Sequence, residues 1–461
     1  MLTGSALPKR ALLLAFAVAG LLPRQARAQA APTPTPEQTM QPATAGEPAP
    51  EIWAVHEQGT FETQYHPAFS SALHGTNSLD PGSRGNETFD ATLFAGVRPW
   101  AHGELWVNPE IDQGFGLSGT LGVAAFPSAE AYKVGAAFPY LRLQRLFFRQ
   151  TMDLGGAPVE VRPDLNVLGD HQTENRLVIT IGKFSVPDVF DTNSYAHDSK
   201  QDFSNWGLVD TGTFDYAADA WGYSYGVAAE WYQDWWAMRA GAFALSRVPN
   251  SAALDTSGGQ FQIIGEGEAR HDVWGQAGKV KITGYMTRGR MGDYGAAILL
   301  GVASGTAPNV GAVRQYRSRT GLGVSLEQAI TPTLGLFARA GFNEGGREPY
   351  EFTDTDRSFA VGVSLQGKYW GRPDDTVGLA TVIDGISHRH KDYLAAGGLG
   401  ILIGDGALPR SGPEQVLETY YKYALASFAY LTADYQFINN PGYDRARGPI
   451  SVLGARLHIQ Y

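Results

Sequence analysis

The chain has 461 residues, with 46 acidic and 36 basic side chains, a net charge of −10 and no cysteine. An acidic chain lacks the basic surface that nucleic acids require, so no nucleic acid is expected as a partner, and without cysteine no disulfide scaffold can form. Gly, Tyr, Phe and Trp are abundant while only 18% of residues are charged, which favours β structure. After residue 28, no apolar stretch approaches the ~20 residues that a membrane helix needs.

The N-terminus predicts export. Lys9 and Arg10 precede an apolar run, and Ala26-Arg27-Ala28 is a small-residue cleavage pattern, so residues 1–28 have the pattern of a secretory signal peptide. Removing its four basic residues leaves 32 against 46 acidic ones, a net charge of −14. Residues 29–52 are Pro-rich, with six prolines and no aromatic residue in 31–50, and are expected to be a flexible segment.

From Phe61 onward, apolar residues recur with a period of two, which is typical of strands with one apolar face. The runs include TFDATLFAGVR (88–98), WGYSYGVAAEW (221–231), TLGLFARAGF (333–342), FAVGVSL (359–365) and LTADYQF (431–437). Most are roughly 8–12 residues long, the length of a tilted strand that crosses a bilayer.

The connections between these runs come in two sizes. Gln233-Asp234 and Thr331-Pro332-Thr333 predict tight turns, whereas 113–137, 184–220 and 385–415 are long polar or Gly-rich stretches. Aromatic residues near run ends predict interfacial girdles: Trp221, Tyr223, Trp231, Trp235, Trp236, Tyr369, Trp370, Tyr420 and Tyr421. We therefore predict an all-β fold for residues 53–461, a transmembrane antiparallel β-barrel with short periplasmic turns and long extracellular loops. A secreted β-sandwich or propeller is the alternative.

In such a barrel, the apolar residues of each strand face lipid, and the residues that alternate with them point into the lumen. The pore-lining and substrate-contact candidates are Arg98, Glu104, Trp106, Asn108, Glu110, Asp112, Glu230, Arg239, Arg339, Asp434 and Arg456. A wall with both signs of charge suits neutral polyols, because carboxylates and guanidinium groups hydrogen-bond hydroxyls and a ring such as Trp106 can stack on a sugar face. The alternative for each residue is that it lines the wall, paired with a neighbour or with water.

No catalytic residue, cofactor or metal site is predicted. Glu110 and Asp112 have the spacing i, i+2 and could be read as a glycosidase carboxylate pair, but no other feature supports an enzyme. The sequence contains no G-x-S-x-G, P-loop or H-E-x-x-H motif. If the channel carried divalent cations, Glu104, Glu110 and Asp112 would offer the oxygen ligands that hard cations prefer.

Several segments, in order along the chain, resemble the carbohydrate-selective (OprB-like) porins of bacterial outer membranes. They are IGKFSVPDVFDTNSYAHDSKQDFSNWGL (181–208), DYLAAGGLGILIGDG (392–406) and LTADYQFINNPGY (431–443), and the similarity spans most of 55–461. The resemblance implies about 16 strands in the bacterial outer membrane, facilitated diffusion of small sugars, and loops folded into the lumen.

The N-terminal third, with TQYHPAF (63–69) and NPEIDQGFGL (108–117), resembles a subgroup described as manganese porins. A channel for divalent cations such as Mn²⁺ is therefore the alternative function, and a secreted soluble β lectin or enzyme is a further one.

The last eight residues, GARLHIQY, also alternate. Leu457, Ile459 and Tyr461 are expected to face lipid and the residues between them the pore, and the last strand must pair with the first to leave no open edge. The terminal aromatic resembles the signal read by the barrel-assembly machinery, so deleting Tyr461 is expected to impair assembly. The expected partners are thus outer-membrane lipid, small sugars as solutes and this machinery; whether three barrels form a homotrimer stays open.

Overall fold

The computed structural model describes residues 40–42, 50–132 and 135–461. The predicted signal peptide (1–28) and most of the Pro-rich segment lie outside these ranges. Within that segment, Met40–Pro42 form a short strand, β1, which pairs antiparallel with residues 159–161.

Sixteen further strands form one sheet in which each is antiparallel to the next. They are β2 (Trp53–His66), β3 (Arg84–Val97), β4 (Gly103–Gly114), β5 (Ala136–Val161), β6 (Asp170–Phe184), β7 (Ser224–Gln233), β8 (Trp236–Ala244), β9 (Phe261–Val273), β10 (Gln276–Met291), β11 (Gln315–Thr331), β12 (Leu334–Asn343), β13 (Arg357–Gln366), β14 (Thr376–Gly385), β15 (Glu414–Ala426), β16 (Ala429–Asn439) and β17 (Ile450–Gln460). The last strand pairs with β2, from Leu453 opposite Tyr65 to Gln460 opposite Gln58. The predicted all-β barrel of about 16 strands, closed by its last strand, is confirmed.

The two predicted sizes of connection lie at opposite ends of the barrel. Short connections form the end that we call the short-turn end: 98–102, 162–169, 234–235, 274–275, 332–333, 367–375 and 427–428. Long connections form the long-loop end: 67–83, 115–135, 185–223, 245–260, 292–314, 344–356, 386–413 and 440–449. Strand β2 begins at the short-turn end and β17 finishes there, as an even number of antiparallel strands requires.

The outer surface of the barrel is apolar and its inner surface is polar. In the paired strands β2 and β17, Phe61 and Leu457 are 43% and 37% exposed, whereas Glu62 and Arg456 are 3% and 2% exposed. Such inside-out alternation places apolar side chains against lipid and keeps charges off the lipid face, where a basic residue at mid-bilayer would cost about 2–4 kcal/mol.

The helices are short and lie in the connections. They are α1 (Ala129–Tyr132), α2 (Trp206–Val209), α3 (Tyr294–Ser304) and α4 (His388–Ala395). No helix of the described residues is both long and apolar enough to cross a membrane. Residues 185–223, which we call the inserted segment, and much of 115–132 are buried within the barrel.

The girdle prediction is only partly correct. Trp231, Trp235, Tyr369 and Trp370 are exposed on the outside near the short-turn end. The prediction is wrong for Trp221, Tyr223 and Tyr420. Tyr420 has inward parity on β15. The other two precede β7 and belong to the inserted segment, where Asp219 Oδ1 accepts their backbone N–H groups at 3.0 and 3.3 Å.

Candidate functional site

Wall carboxylates hold the inserted segment by its backbone amides. Glu327 of β11 accepts the Ser194 N–H at 2.7 Å and its hydroxyl at 2.9 Å. Glu418 of β15 accepts two successive N–H groups, from Ser204 at 2.6 Å and Asn205 at 3.0 Å. Because these amides have no strand partner, the carboxylates supply the hydrogen bonds that buried backbone groups require.

Wall arginines bind backbone carbonyls of the same segment. Arg339 of β12 donates to the carbonyl oxygens of Leu208 at 2.5 Å and Asp191 at 3.2 Å. Arg456 of β17 donates to the Asp202 carbonyl at 2.7 Å and also to that of Ser199. The sequence therefore positions the inserted segment through charged side chains on the wall, each matched to backbone groups of opposite polarity.

The segment leaves a cavity of about 340 Å³ against one side of the wall, which we call the slot. On the wall side it is lined by Phe94, Glu110, Arg145, Phe147 and Arg149; on the segment side by Asp188, His197, Lys200, Trp206, Trp221 and Tyr223. Aromatic rings and charged groups of both signs thus face the same space.

A β-bulge shapes the wall side of the slot. The pairing of β4 with β5 shifts register between Asn108 and Pro109, so that Gln144 is the extra residue of β5. Proline lacks the N–H that a regular ladder needs, so a bulge is a typical place for it. As a result Gln144 and Arg145 both have inward positions, and the Gln144 amide bridges Glu110 and Asp112 at 3.2 Å each.

Arg145 joins the wall to the start of the inserted segment. Its Nε and Nη2 atoms donate to the two Asp188 carboxylate oxygens at 2.8 and 2.6 Å, and its guanidinium carbon lies 4.9 Å from the centroid of the Tyr223 ring. Burial raises the pKa of the Asp188 carboxyl, but the charge and hydrogen bonds of Arg145 outweigh burial and hold this pKa below its usual value. The ion pair is therefore a fixed, charged edge of the slot.

The short-turn end also contributes to the slot. Connection 162–169 folds inward, and Asn166 near its tip accepts from Arg149 Nη1 through its carbonyl at 2.7 Å. The Asn166 side chain accepts from Asn108 Nδ2 at 2.9 Å. Two connections from opposite ends thus meet the β4–β5 wall at the slot.

His197 is a titratable group of the inserted segment that lines the slot. His197 Nδ1 lies 3.6 Å from Asp210 Oδ1. Burial lowers the pKa of the His197 imidazole, but Asp210 raises it more, so the net pKa lies above its usual value. Nearby, Lys200 pairs with Asp90 and, at 3.0 Å, with Glu130.

The predicted residues of β4 are all buried on the inner side. They are Glu104, Trp106, Asn108, Glu110 and Asp112. Of these, only Glu110 lines the slot. Trp106 is 0% exposed, donates to Glu104 at 2.8 Å, and packs so closely on Gly96 that a Cβ there would lie 2.6 Å from the indole. Its ring thus lies within the wall and is not presented to the slot.

The three carboxylates proposed as cation ligands have protein donors. Glu104 accepts from Arg149 at 3.4 Å, and Gln144 bridges the other two, Glu110 and Asp112. Across the described ranges, no group of three or more His, Cys, Asp or Glu side chains is arranged to hold a metal ion.

The other candidates lie in four places. Arg98 follows β3 at the short-turn end and binds Asp170 at 2.7 Å. Glu230 and Arg239 belong to an ion-pair cluster on β7–β9, in which Arg239 also contacts Glu266 at 3.0 Å. Arg339 and Arg456 hold the inserted segment, as described above. Asp434 accepts from the amide of Gln436, its neighbour on β16, at 3.1 Å.

Most slot residues were not among the predicted candidates. Arg142, Arg145 and Arg149 of β5 are spaced by three and then four residues, so strict alternation cannot place all three on one face. The bulge at Gln144 brings Arg145 and Arg149 to the same inner side as Arg142. Asp188, His197 and the remaining segment residues lie in a loop, whose path strand periodicity does not report.

The slot can bind and orient small polar solutes. Arg145 and Arg149 line it with guanidinium groups, which donate hydrogen bonds, and Glu110 lines it with a carboxylate, which accepts hydrogen bonds from a solute. Trp221 and Tyr223 line the same space with their rings. These groups hydrogen-bond hydroxyls or pack on a pyranose face without requiring a net charge on the solute.

The fold and the sequence both match known proteins. The family model described as "Carbohydrate-selective porin, OprB family" matches residues 76–461. A structure of Pseudomonas putida OprB is similar, with a TM-score of 0.67 and 15% identity over 89% of this chain and 94% of that one. The outer membrane channel DcaP of Acinetobacter baumannii has a TM-score of 0.49 and 9% identity over 90% and 98%. No curated protein sequence matches the chain.

Proposed function

Because the chain belongs to the carbohydrate-selective porins of the OprB family, we propose that it carries small carbohydrates of about monosaccharide size into the periplasm by passive, facilitated diffusion. The protein is an outer-membrane porin and not an enzyme. Its long loops are extracellular and its short-turn end faces the periplasm.

The residues that line the slot support the choice of a sugar as the solute. Rings of Trp221 and Tyr223 share about 340 Å³ with the guanidinium groups of Arg145 and Arg149 and the Glu110 carboxylate. This volume is at the lower end of the ~300–1,000 Å³ typical of small-molecule sites. Neutral polyols use both kinds of group, whereas a simple ion would use only the charged ones.

A planar-bilayer measurement tests the proposal. Purified protein should form single channels whose ion current is reduced by glucose in a saturable way. Absence of conductance would contradict the channel function, and conductance that no monosaccharide reduces would contradict the choice of solute. If Mn²⁺ reduces the current where sugars do not, the divalent-cation alternative is correct. A mature chain that stays in the aqueous fraction without detergent would instead support a secreted soluble protein.

We further propose that the barrel-assembly machinery recognises β17 with its terminal ring. Tyr461 is 79% exposed, and its backbone N–H and carbonyl both pair with Glu57 at 2.8 Å. Tyr461→Ala keeps this pairing and removes only the ring, so it should slow insertion in cells without changing the conductance of the inserted channel. Normal insertion of this variant would contradict the role of the ring.

A homotrimer is the proposed assembly. Chemical cross-linking in native outer membranes should then give a ladder that ends at three chains. A ladder that ends at one chain would overturn it.

A further inference from the structure

The inserted segment separates the slot from a second cavity of about 330 Å³, which we call the exit cavity. Gln201 and Asp202 of the segment line it on one side, and Lys422, Tyr430 and Gln460 of β15–β17 line it on the other. Exposed residues of the short turns, such as Pro332 and Asp374, also border it. The exit cavity therefore lies at the periplasmic mouth of the barrel.

Lys422 is the unusual residue of this cavity. It is 6% exposed, and within the described ranges its ammonium forms no hydrogen bond and has no carboxylate within 4.0 Å. The Nζ atom lies 5.4 Å from the centroid of the Tyr430 ring. By contrast Lys200, 7% exposed, pairs with Asp90 and Glu130. Because Lys422 lines the exit cavity and has no carboxylate of the described residues at ion-pair distance, its ammonium is open to an anionic group of a ligand there.

The charged groups that act on Lys422 are Asp202 and Asp198, two carboxylates of the inserted segment, and Arg456 of β17. Asp202 also lines the cavity, but its Oδ2 atom accepts the backbone N–H groups of His197 and Asp198 at 3.4 and 3.3 Å. Asp374 is exposed at the rim, beyond ion-pair distance of Lys422. Arg456, on the neighbouring part of the wall, directs its guanidinium to backbone carbonyls of the segment, as described above.

We propose that the exit cavity is a second solute site, which takes a monosaccharide carrying a carboxylate, such as a uronate, with Lys422 binding the carboxylate. The amides of Gln201, Gln366 and Gln460 line the same space and match sugar hydroxyls, while the Tyr430 ring offers an apolar face. The inference rests on the proposed function, since it assigns a further site of the same channel, but it uses a different solute.

Current block by two solutes of similar size tests the assignment. D-glucuronate or D-glucose is added on the periplasmic side of channels of the full protein in a planar bilayer. Lys422→Gln should weaken block by glucuronate about 10-fold or more, the scale of a charge-assisted hydrogen bond, and change block by glucose less than about two-fold. Lys422→Arg, which keeps the charge, should retain glucuronate block.

The matched control is Lys368→Gln, which removes a positive charge from an exposed turn (Gly367–Trp370) at the same end of the barrel. If Lys368→Gln weakens glucuronate block as much as Lys422→Gln does, the positive charge of the periplasmic mouth as a whole, and not a site at Lys422, attracts the anion. Unchanged glucuronate block in Lys422→Gln, or an equal loss for both sugars, would also overturn the proposal. Heat-modifiable migration on gels establishes that each variant is folded. Failure of glucose to block any channel, wild type included, would contradict the proposed function alone.

Discussion

The barrel wall and the inserted segment are held by different interactions. The wall is a continuous ladder of backbone hydrogen bonds from β2 round to β17, with an apolar outer face. Residues 185–223 contain no strand, and charged wall side chains such as Glu418 and Arg339 hold them by the backbone. The ladder thus sets the width of the barrel, whereas individual side chains set the shape of the pore.

The largest expected effect concerns the wall. Leu457→Arg places a charge on the lipid face of β17 and should lower the free energy of unfolding by about 2–4 kcal/mol, measured by denaturant titration in lipid vesicles. Gln460→Arg adds the same charge at an inward position of the same strand and should change stability by less than about 0.5 kcal/mol. Equal losses in the two variants would show that strand β17 does not separate lipid from lumen.

The next effect concerns the hold on the inserted segment. The double variant Arg339→Met/Arg456→Met removes the wall donors to the carbonyls of Leu208, Asp191, Ser199 and Asp202. Because hydrogen bonds to charged groups contribute about 1.5–3 kcal/mol each, the segment should loosen. Single-channel conductance should then rise several-fold and glucose block should weaken about 10-fold, while heat-modifiable migration persists.

A control variant addresses the loss of charge in that experiment. Arg84→Met removes an exposed arginine whose partner is Asp80 at the long-loop end, and it should leave conductance within about 20% of wild type. Unchanged conductance in the double variant would contradict the view that these arginines set the pore.

A smaller effect is expected at the slot itself. Arg145→Met removes the two-bond contact with Asp188 and one guanidinium from the slot. Glucose block should weaken about 5-fold, which corresponds to about 1 kcal/mol. Arg145→Lys keeps the charge but not the planar pair of donors, so an intermediate value is expected. Glucose block equal to wild type in Arg145→Met would exclude this arginine from the solute path.

The smallest effect is a pH dependence of ion selectivity. The pKa of His197 is raised above its usual value by Asp210, in spite of burial, so its charge is present below that pKa and is lost as pH rises through it. Lowering the pH from about 8 to about 6 should add a positive charge to the slot and raise the anion-to-cation permeability ratio about two-fold. The neighbouring Asp188 stays ionised in this range because Arg145 keeps its pKa low.

Reversal potentials in a salt gradient measure this ratio, and His197→Gln should abolish its change with pH. The stability linkage has the same sign: the raised pKa of His197 means that its contact with Asp210 stabilises the segment at low pH and ceases to do so at high pH. A pH response that persists in His197→Gln would assign it to another group.

Strand β4 illustrates what the sequence could predict of the candidate site, and β5 what it could not. On β4 alternation places Glu104, Asn108 and Glu110 inside, as found. On β5 the extra residue Gln144 shifts the parity, so Arg142 and Arg145 both face inward although they are three residues apart. A bulge depends on how two strands pair, and the residues of one strand do not specify it.

By itself the sequence determined the barrel. A period of two, long runs and two sizes of connection suffice, because every strand of the wall must present apolar side chains to the lipid. Only the tertiary structure decided the pore. Trp221 follows the same apolar pattern as lipid-facing residues, yet it lies inside, where its indole N–H donates to the Tyr140 hydroxyl and the Arg142 guanidinium lies over its ring. The path of residues 185–223 depends on long-range contacts between loop amides and wall charges, which have no periodicity along the chain.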